Sequence, residues 1–202
     1  MKSEISVLGV VLAAGASSRM GTSKMALKWG ESTVLETTLR NASLSSVTDI
    51  LLVTGGYLEL IECLPGVRTQ SQVHNSNYAT GEMISSIKLA LNWIESRDFQ
   101  PDGVFVLPGD MPLISDEMID QLIDRWQASP TMIVAPIYDQ KRGHPVLFPY
   151  EIFQQFKTLP AESVPRDLLK RFQDRMIFVE IADPAVLIDI DTPEAYKEHR
   201  LR

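Results

Sequence analysis

The stretch Leu12-Ala13-Ala14-Gly15-Ala16-Ser17-Ser18-Arg19-Met20-Gly21-Thr22-Ser23-Lys24 joins an apolar run to small residues, glycines and two cations. Small residues let backbone N–H groups approach an anion closely, and Arg19 and Lys24 add charge, so Leu12, Ala13, Ala14, Gly15, Arg19 and Lys24 make a phosphate-binding design. It is not a Walker A loop: five residues separate Gly15 from Gly21, and Lys24 comes three later. Nor does it have the dinucleotide-binding G-x-G-x-x-G spacing. Asp110 follows the apolar run Val104–Leu107 inside Pro108-Gly109-Asp110-Met111-Pro112. A carboxylate there either meets a hard cation that bridges phosphate oxygens or hydrogen-bonds its own turn. Asp189 and Asp191 lie near the far end of the chain, and in extended backbone their side chains point to the same side. Either could join Asp110 on a magnesium ion; Asp191 could instead serve as polar entry to the helix that Thr192-Pro193 begins. Asn75, Gly81, Ser85 and Ser86 surround the start of an amphipathic helix, where amide and hydroxyl groups can read a base or a ribose, or merely cap the helix.

These residues need a scaffold that brings distant segments together. Short, continuously apolar runs at Val7–Ala14, Ile50–Val53, Val104–Leu107, Met132–Ala135 and Met176–Ile181 read as parallel strands buried on both faces. Between them lie helical patterns. Thr33 with Glu36 forms a capping box ahead of Val34, Leu35, Leu39 and Ala42. Met83, Ile84, Ile87, Ala90, Leu91 and Ile94 share one helix face, and Ser115 caps a helix carrying Ile119, Leu122, Ile123 and Trp126. Proline at the first helical position opens the last one, at Thr192-Pro193-Glu194. Alternating strands and helices imply an α/β sandwich with helices on both faces, whose ligands bind beyond the carboxyl ends of the strands. From Tyr138 to Ser163 the pattern loosens around Pro145, Pro149 and Pro160, which marks an insertion or flap.

Composition sets the outer bounds. With 202 residues, 45% hydrophobic and 22% charged, the chain suits one globular domain, taken as 1–202. A net charge of -7 repels a phosphate backbone, so nucleic-acid binding is disfavoured. Cys63 is the single cysteine, which excludes an intrachain disulfide and a cysteine-based zinc site and suits a reducing, cytoplasmic setting. Val7–Ala14 is too short to cross a membrane and lacks the layout of a signal peptide.

Leu12 to Lys24 resembles the L-A-A/G-G-x-S-x-R-M-G-x-x-K signature of the small nucleotidyltransferases that act on molybdenum cofactor, within the broader pyrophosphorylase superfamily. The resemblance continues through Leu107-Pro108-Gly109-Asp110-Met111-Pro112, Arg142-Gly143-His144-Pro145-Val146-Leu147-Phe148 and Asp189-Ile190-Asp191-Thr192-Pro193-Glu194, in order along nearly the whole chain. Ala13-Ala14-Gly15 is similar to the cytidylyltransferase branch; the guanylyltransferase branch usually reads Ala-Gly-Gly with an acidic residue before the lysine, where this chain has Ser23.

The resemblance implies a Rossmann-like three-layer sandwich with a mostly parallel central sheet, of the nucleotide-diphospho-sugar transferase type. It further implies transfer of CMP from CTP to molybdopterin or its molybdenum-loaded form, with Mg²⁺ on Asp110 and on Asp189 or Asp191. Arg19, Lys24 and Asp110 would carry the reaction, and a molybdenum hydroxylase would receive the product. His144 and Arg166 would meet the acceptor, with 138–163 as its flap. Where such enzymes commonly show Gly-Asp-x-Gly-x-Arg, this chain has Ala161-Glu162-Ser163-Val164-Pro165-Arg166, a departure that bears on the acceptor more than on the nucleotide. Two other readings stand beside this one: a non-catalytic carrier of the pterin cofactor, and a nucleotidyltransferase that uses GTP or a sugar phosphate.

Overall fold

The computed structural model describes residues 5–15, 23–55, 71–78, 83–98 and 100–200. In chain order the elements are β1 (Val7–Ala13), β2 (Lys28–Trp29), β3 (Ser32–Thr33), α1 (Val34–Leu44), β4 (Asp49–Thr54), β5 (Ser71–His74), α2 (Met83–Glu95) and β6 (Gly103–Pro108). There follow α3 (Asp116–Gln127), β7 (Ile133–Tyr138), β8 (Lys141–Arg142), β9 (Val146–Pro149), α4 (Tyr150–Phe153), α5 (Pro165–Arg171), β10 (Met176–Glu180) and α6 (Pro193–His199). The main sheet runs β10-β7-β9-β6-β1-β4-β5, with β8 paired to β7, while β2 and β3 form a separate hairpin. Pairing is parallel except around β9 and β8.

The continuous apolar runs have the expected consequence. Every residue of β1 is buried. Leu8, Val10 and Leu12 pack with the apolar faces of α2, α4 and α5, whereas Val7, Val11 and Ala13 pack with those of α1 and α3. Two helical layers therefore cover one sheet, the three-layer arrangement that strands buried on both faces require. Gly9 is the exception to apolar filling because a Cβ there would lie 2.8 Å from Phe105 Cζ.

The predicted helix starts are present as hydrogen bonds. Glu36 N–H donates to Thr33 Oγ1 at 3.2 Å and Thr33 N–H to Glu36 Oε2 at 2.7 Å, completing the capping box. Ser115 and Thr192 accept from Met118 and Ala195 N–H in the same way, and Pro193 opens α6. Met176–Ile181 departs from expectation, since β10 ends the sheet and leaves Phe178 exposed. The loosened stretch 138–163 contains β8, β9 and α4, and Val146, Leu147, Phe148, Tyr150, Ile152, Phe153 and Phe156 belong to the core. Its prolines stand at element ends, where a missing N–H is tolerated. Among the described residues, no helix is long and apolar enough to cross a membrane.

Candidate active site

Parallel register brings the carboxyl ends of β1, β4 and β6 level, with Leu12 opposite both Val53 and Pro108. The segments that leave these strands are then tied to one another. Gly109 N–H donates to Leu12 C=O at 2.8 Å, and Ile190 N–H donates to Asp110 C=O at 2.9 Å. Gly109 admits no side chain without crowding, since a Cβ would stand 3.0 Å from Leu35 Cδ1 and 3.2 Å from Leu12 O. A small apolar cluster of Trp29, Val34 and Ile190, with Leu27, Leu113 and Tyr196 against it, packs the segments after Lys24, after Asp110 and around Asp189 together. Because Ile190 is fully buried, its neighbours Asp189 and Asp191 turn to the other side, as alternation in extended backbone predicts.

The result is a cage of charge. One carboxylate oxygen from each of Asp110, Asp189 and Asp191 lies within 4.8 Å of the others. Lys24 reaches into this group from a short 3₁₀ turn, Lys24–Ala26, anchored by the buried Met25. Its Nζ donates to Asp110 Oδ2 at 2.5 Å and to Asp191 Oδ1. Burial would pull the ammonium pKa down, but the charges and hydrogen bonds of Asp110 and Asp191 outweigh it and hold the pKa above the usual lysine value. The Asp189 carboxyl is also raised, above the usual carboxylate range, by burial and by the like charges of Asp110 and Asp191, against the opposing Lys24 charge. All three donors are oxygens, with no thiolate or imidazole among them, so the set fits a hard divalent cation such as Mg²⁺ or Mn²⁺.

The cage forms one wall of a cleft of about 310 Å³, whose other walls include Met83, Arg142, Gly143, His144 and Val186. Antiparallel β9 explains how His144 comes to be there. Val146 pairs with Val106, so the two residues before β9, His144 and Pro145, land at the carboxyl end of β6. His144 N–H donates to Val186 C=O at 2.9 Å. Its ring is pressed towards neutrality by burial and by the Arg142 charge, against the pull of Asp110. Nδ1 is buried with no hydrogen-bond partner among the described residues.

Residues 9–176 match the MobA-like NTP transferase domain. The chain belongs to this family. It is 31% identical over 189 residues to the molybdenum cofactor cytidylyltransferase of Escherichia coli K12, covering 93% of this chain and 92% of that one. It is also 27% identical over 197 residues to the purine catabolism protein PucB of Bacillus subtilis 168, with 94% of each chain covered. Among solved structures, Rv0371c of Mycobacterium tuberculosis H37Rv superimposes with a TM-score of 0.77 at 27% identity over 98% of this chain and 99% of that one. CMP:2-keto-3-deoxy-manno-octonic acid synthetase, solved with CTP, shares the fold at a TM-score of 0.74 and 15% identity, over 97% of both chains. As a MobA-like NTP transferase, the protein is a nucleotidyltransferase with the fold of the nucleotide-diphospho-sugar transferases.

Within this MobA-like frame the other sequence-predicted residues fall into groups. Leu12, Ala13 and Ala14 are buried at the carboxyl end of β1, and Gly15 is exposed just beyond. Arg19 and Gly81 lie outside the described residues. Asn75, Ser85 and Ser86 are brought together, but by one another: Asn75 Nδ2 donates to both hydroxyl oxygens at 2.9 Å, and Asn75 Oδ1 accepts from Asn77 N–H. This set locks the end of β5 to α2 and does not line the cleft. Arg166 is exposed in the first turn of α5, outside the cleft wall. Its charge reaches Arg142, whose pKa is lowered by burial and then by Arg166. Arg142 is the site residue that the sequence reading passed over; the available signal was its place beside Gly143-His144.

Proposed function

We propose that this MobA-like enzyme transfers CMP from CTP to a molybdopterin-type acceptor with release of pyrophosphate, using Mg²⁺. The observation that carries the reading is the meeting of Lys24, Asp110, Asp189 and Asp191 at the carboxyl edge of the sheet, beside the loop that Ala13–Gly15 begins. The named relative in E. coli favours the cytosine nucleotide and the pterin acceptor. Asp110, Asp189 and Asp191 would hold the metal, which when bound neutralises phosphate charge. The backbone N–H groups from Ala14 and Gly15 onward, with Arg19, would cradle the triphosphate. Lys24 would offset the charge that develops on the leaving pyrophosphate. Arg142, with Arg166 behind it, supplies the positive wall for an anionic acceptor, and His144 offers a neutral ring to its heterocycle. No side chain need act as base, because a phosphomonoester acceptor is already an anion near neutral pH. The remaining work is alignment of two anions for in-line displacement.

A second reading keeps the chemistry and changes the acceptor. It is favoured by the end-to-end similarity to PucB and by the Ala161-Glu162-Ser163 departure from the family pattern. One experiment separates the two: incubate the protein with Mg²⁺, each of the four nucleoside triphosphates and either molybdopterin or a sugar phosphate, and measure pyrophosphate. Release from CTP that depends on molybdopterin is the expected result. Release from every triphosphate alike, or none with any acceptor, refutes the proposal.

A further inference from the structure

Resting on that reading of the cleft as a metal-dependent nucleotidyl-transfer site, we propose that Lys24 is a built-in counter-ion that keeps the divalent cation out of the carboxylate cage until a triphosphate draws it away. The geometry behind this is direct. Asp110 and Asp191, two of the three carboxylates able to hold a metal, both accept from the one Nζ of Lys24. The ammonium therefore engages one oxygen on each of two carboxylates that a divalent ion would need. Two cations so close repel each other and share the same carboxylates, so metal binding competes with Lys24.

Lysine is suited to leaving. Its charge is a compact point on a flexible four-carbon stem, and it can follow an anion that offers more negative charge. A triphosphate entering beside Gly15 offers such an anion, since Asp110 is tied to the end of β1 through Gly109 N–H and Leu12 C=O. Lys24 then exchanges carboxylate partners for phosphate partners, and the vacated carboxylates accept the metal that the same triphosphate carries. Metal and nucleotide thus bind with mutual reinforcement, and linkage requires the factor to be the same in both directions. Without the ammonium, three carboxylates would face one another across the cage; with it, the empty site is kept in order. The same side chain serves the free enzyme as a counter-ion and the loaded enzyme as a phosphate ligand.

The test is Mn²⁺ affinity of the full chain, measured by calorimetry without turnover, for wild type, Lys24→Met and the charge-preserving Lys24→Arg. Each is titrated alone and with α,β-methylene CTP, whose transfer is blocked, against a nucleotide-only control. Wild type alone should bind Mn²⁺ weakly, and Lys24→Met should bind it about fivefold or more tightly, the lower end of ordinary coupling between sites. Lys24→Arg should show no such gain. The nucleotide analogue should tighten Mn²⁺ binding to wild type by a similar factor and do much less for Lys24→Met. If Lys24→Met equals wild type or binds more weakly while wild type still responds to the analogue, the counter-ion role is wrong and the proposed chemistry stands. Absence of coupling in wild type also overturns it, even should Lys24→Met fail to fold. No Mn²⁺ binding to any form, with or without analogue, refutes the metal-dependent reading itself.

Discussion

Gly143→Ala tests how the cleft is held open. A Cβ at position 143 would stand 2.1 Å from Val186 O, 2.7 Å from Val186 C and 2.9 Å from Val186 Cβ. Neither side has room to yield: Val186 is fully buried, and its carbonyl accepts from His144 N–H. Relief demands that the 142–144 segment lift away from the 184–187 turn. That movement breaks His144 N–H to Val186 C=O and strains Gly143 N–H to Pro136 C=O, both 2.9 Å. Each backbone bond contributes about 1 kcal/mol, and a buried carbonyl left without a donor costs about 1–3 kcal/mol, so the total is about 2–4 kcal/mol. For a chain of this size that lowers Tm by about 5–15 °C. Arg142, His144 and Val186 share the cleft wall with Asp110 and Asp189, so a displacement near 1 Å should also lower kcat/KM by about 100-fold. The assays are calorimetric melting and pyrophosphate release well below the Tm of the variant. A Tm within about 1 °C of wild type together with undiminished turnover would show that the close approach at Gly143 does not set the cleft.

Three further expectations follow from the same geometry. Gly15→Ala should leave Tm nearly unchanged, because no described atom beyond its chain neighbours lies within 4 Å of the added Cβ, yet raise KM for the triphosphate; a melting loss without a kinetic effect would refute the loop assignment. Asp189→Asn should stabilise the metal-free protein at neutral pH by relieving repulsion from Asp110 and Asp191 while weakening Mn²⁺ binding; melts and titrations showing the reverse would argue against a shared cage. His144, whose pKa lies below 6.5 under burial and the Arg142 charge and despite Asp110, gives stability that is fully present above the unfolded pKa and is lost as pH falls through the folded one. His144→Gln should therefore flatten the dependence of the denaturant midpoint on pH below 6.5, and an unchanged slope would assign it to another group.

What could be read in advance was whatever local chemistry enforces. Capping at Thr33, Ser115 and Thr192 depends on residues within one helical turn, and all three caps form. The strands Val7–Ala13 and Gly103–Pro108 are apolar throughout because both faces are covered, which is a composition signal. By contrast, β9 is only four residues long and bracketed by Pro145 and Pro149, so its apolar run reads as broken loop although it lies in mid-sheet. β10 has the composition of an inner strand yet ends the sheet, and strand order is decided by long-range pairing that no window of sequence contains. The same limit applies to the site. Lys24 and Asp110 could each be singled out by type and setting, but their hydrogen bond spans 86 positions, and the role of Lys24 as partner to two carboxylates is visible only in three dimensions. Arg142 carried no periodic or burial signal because β8 is a two-residue exposed strand.

The ion pair between Lys24 and Asp191 spans 167 positions of the chain. Closing so long a loop is entropically costly, so the pair forms only once the sheet has brought both chain segments together. Until then no fragment of the protein possesses the cage, however native its helices. A ligand that grips Lys24, Asp110 and Asp191 together consequently acts as a clasp between the two ends of the chain. At about 100 times its Kd it would add about 2.7 kcal/mol to the stability of the whole, not of one loop. Occupancy of this one cleft is thus a gauge of whether the entire chain has finished folding.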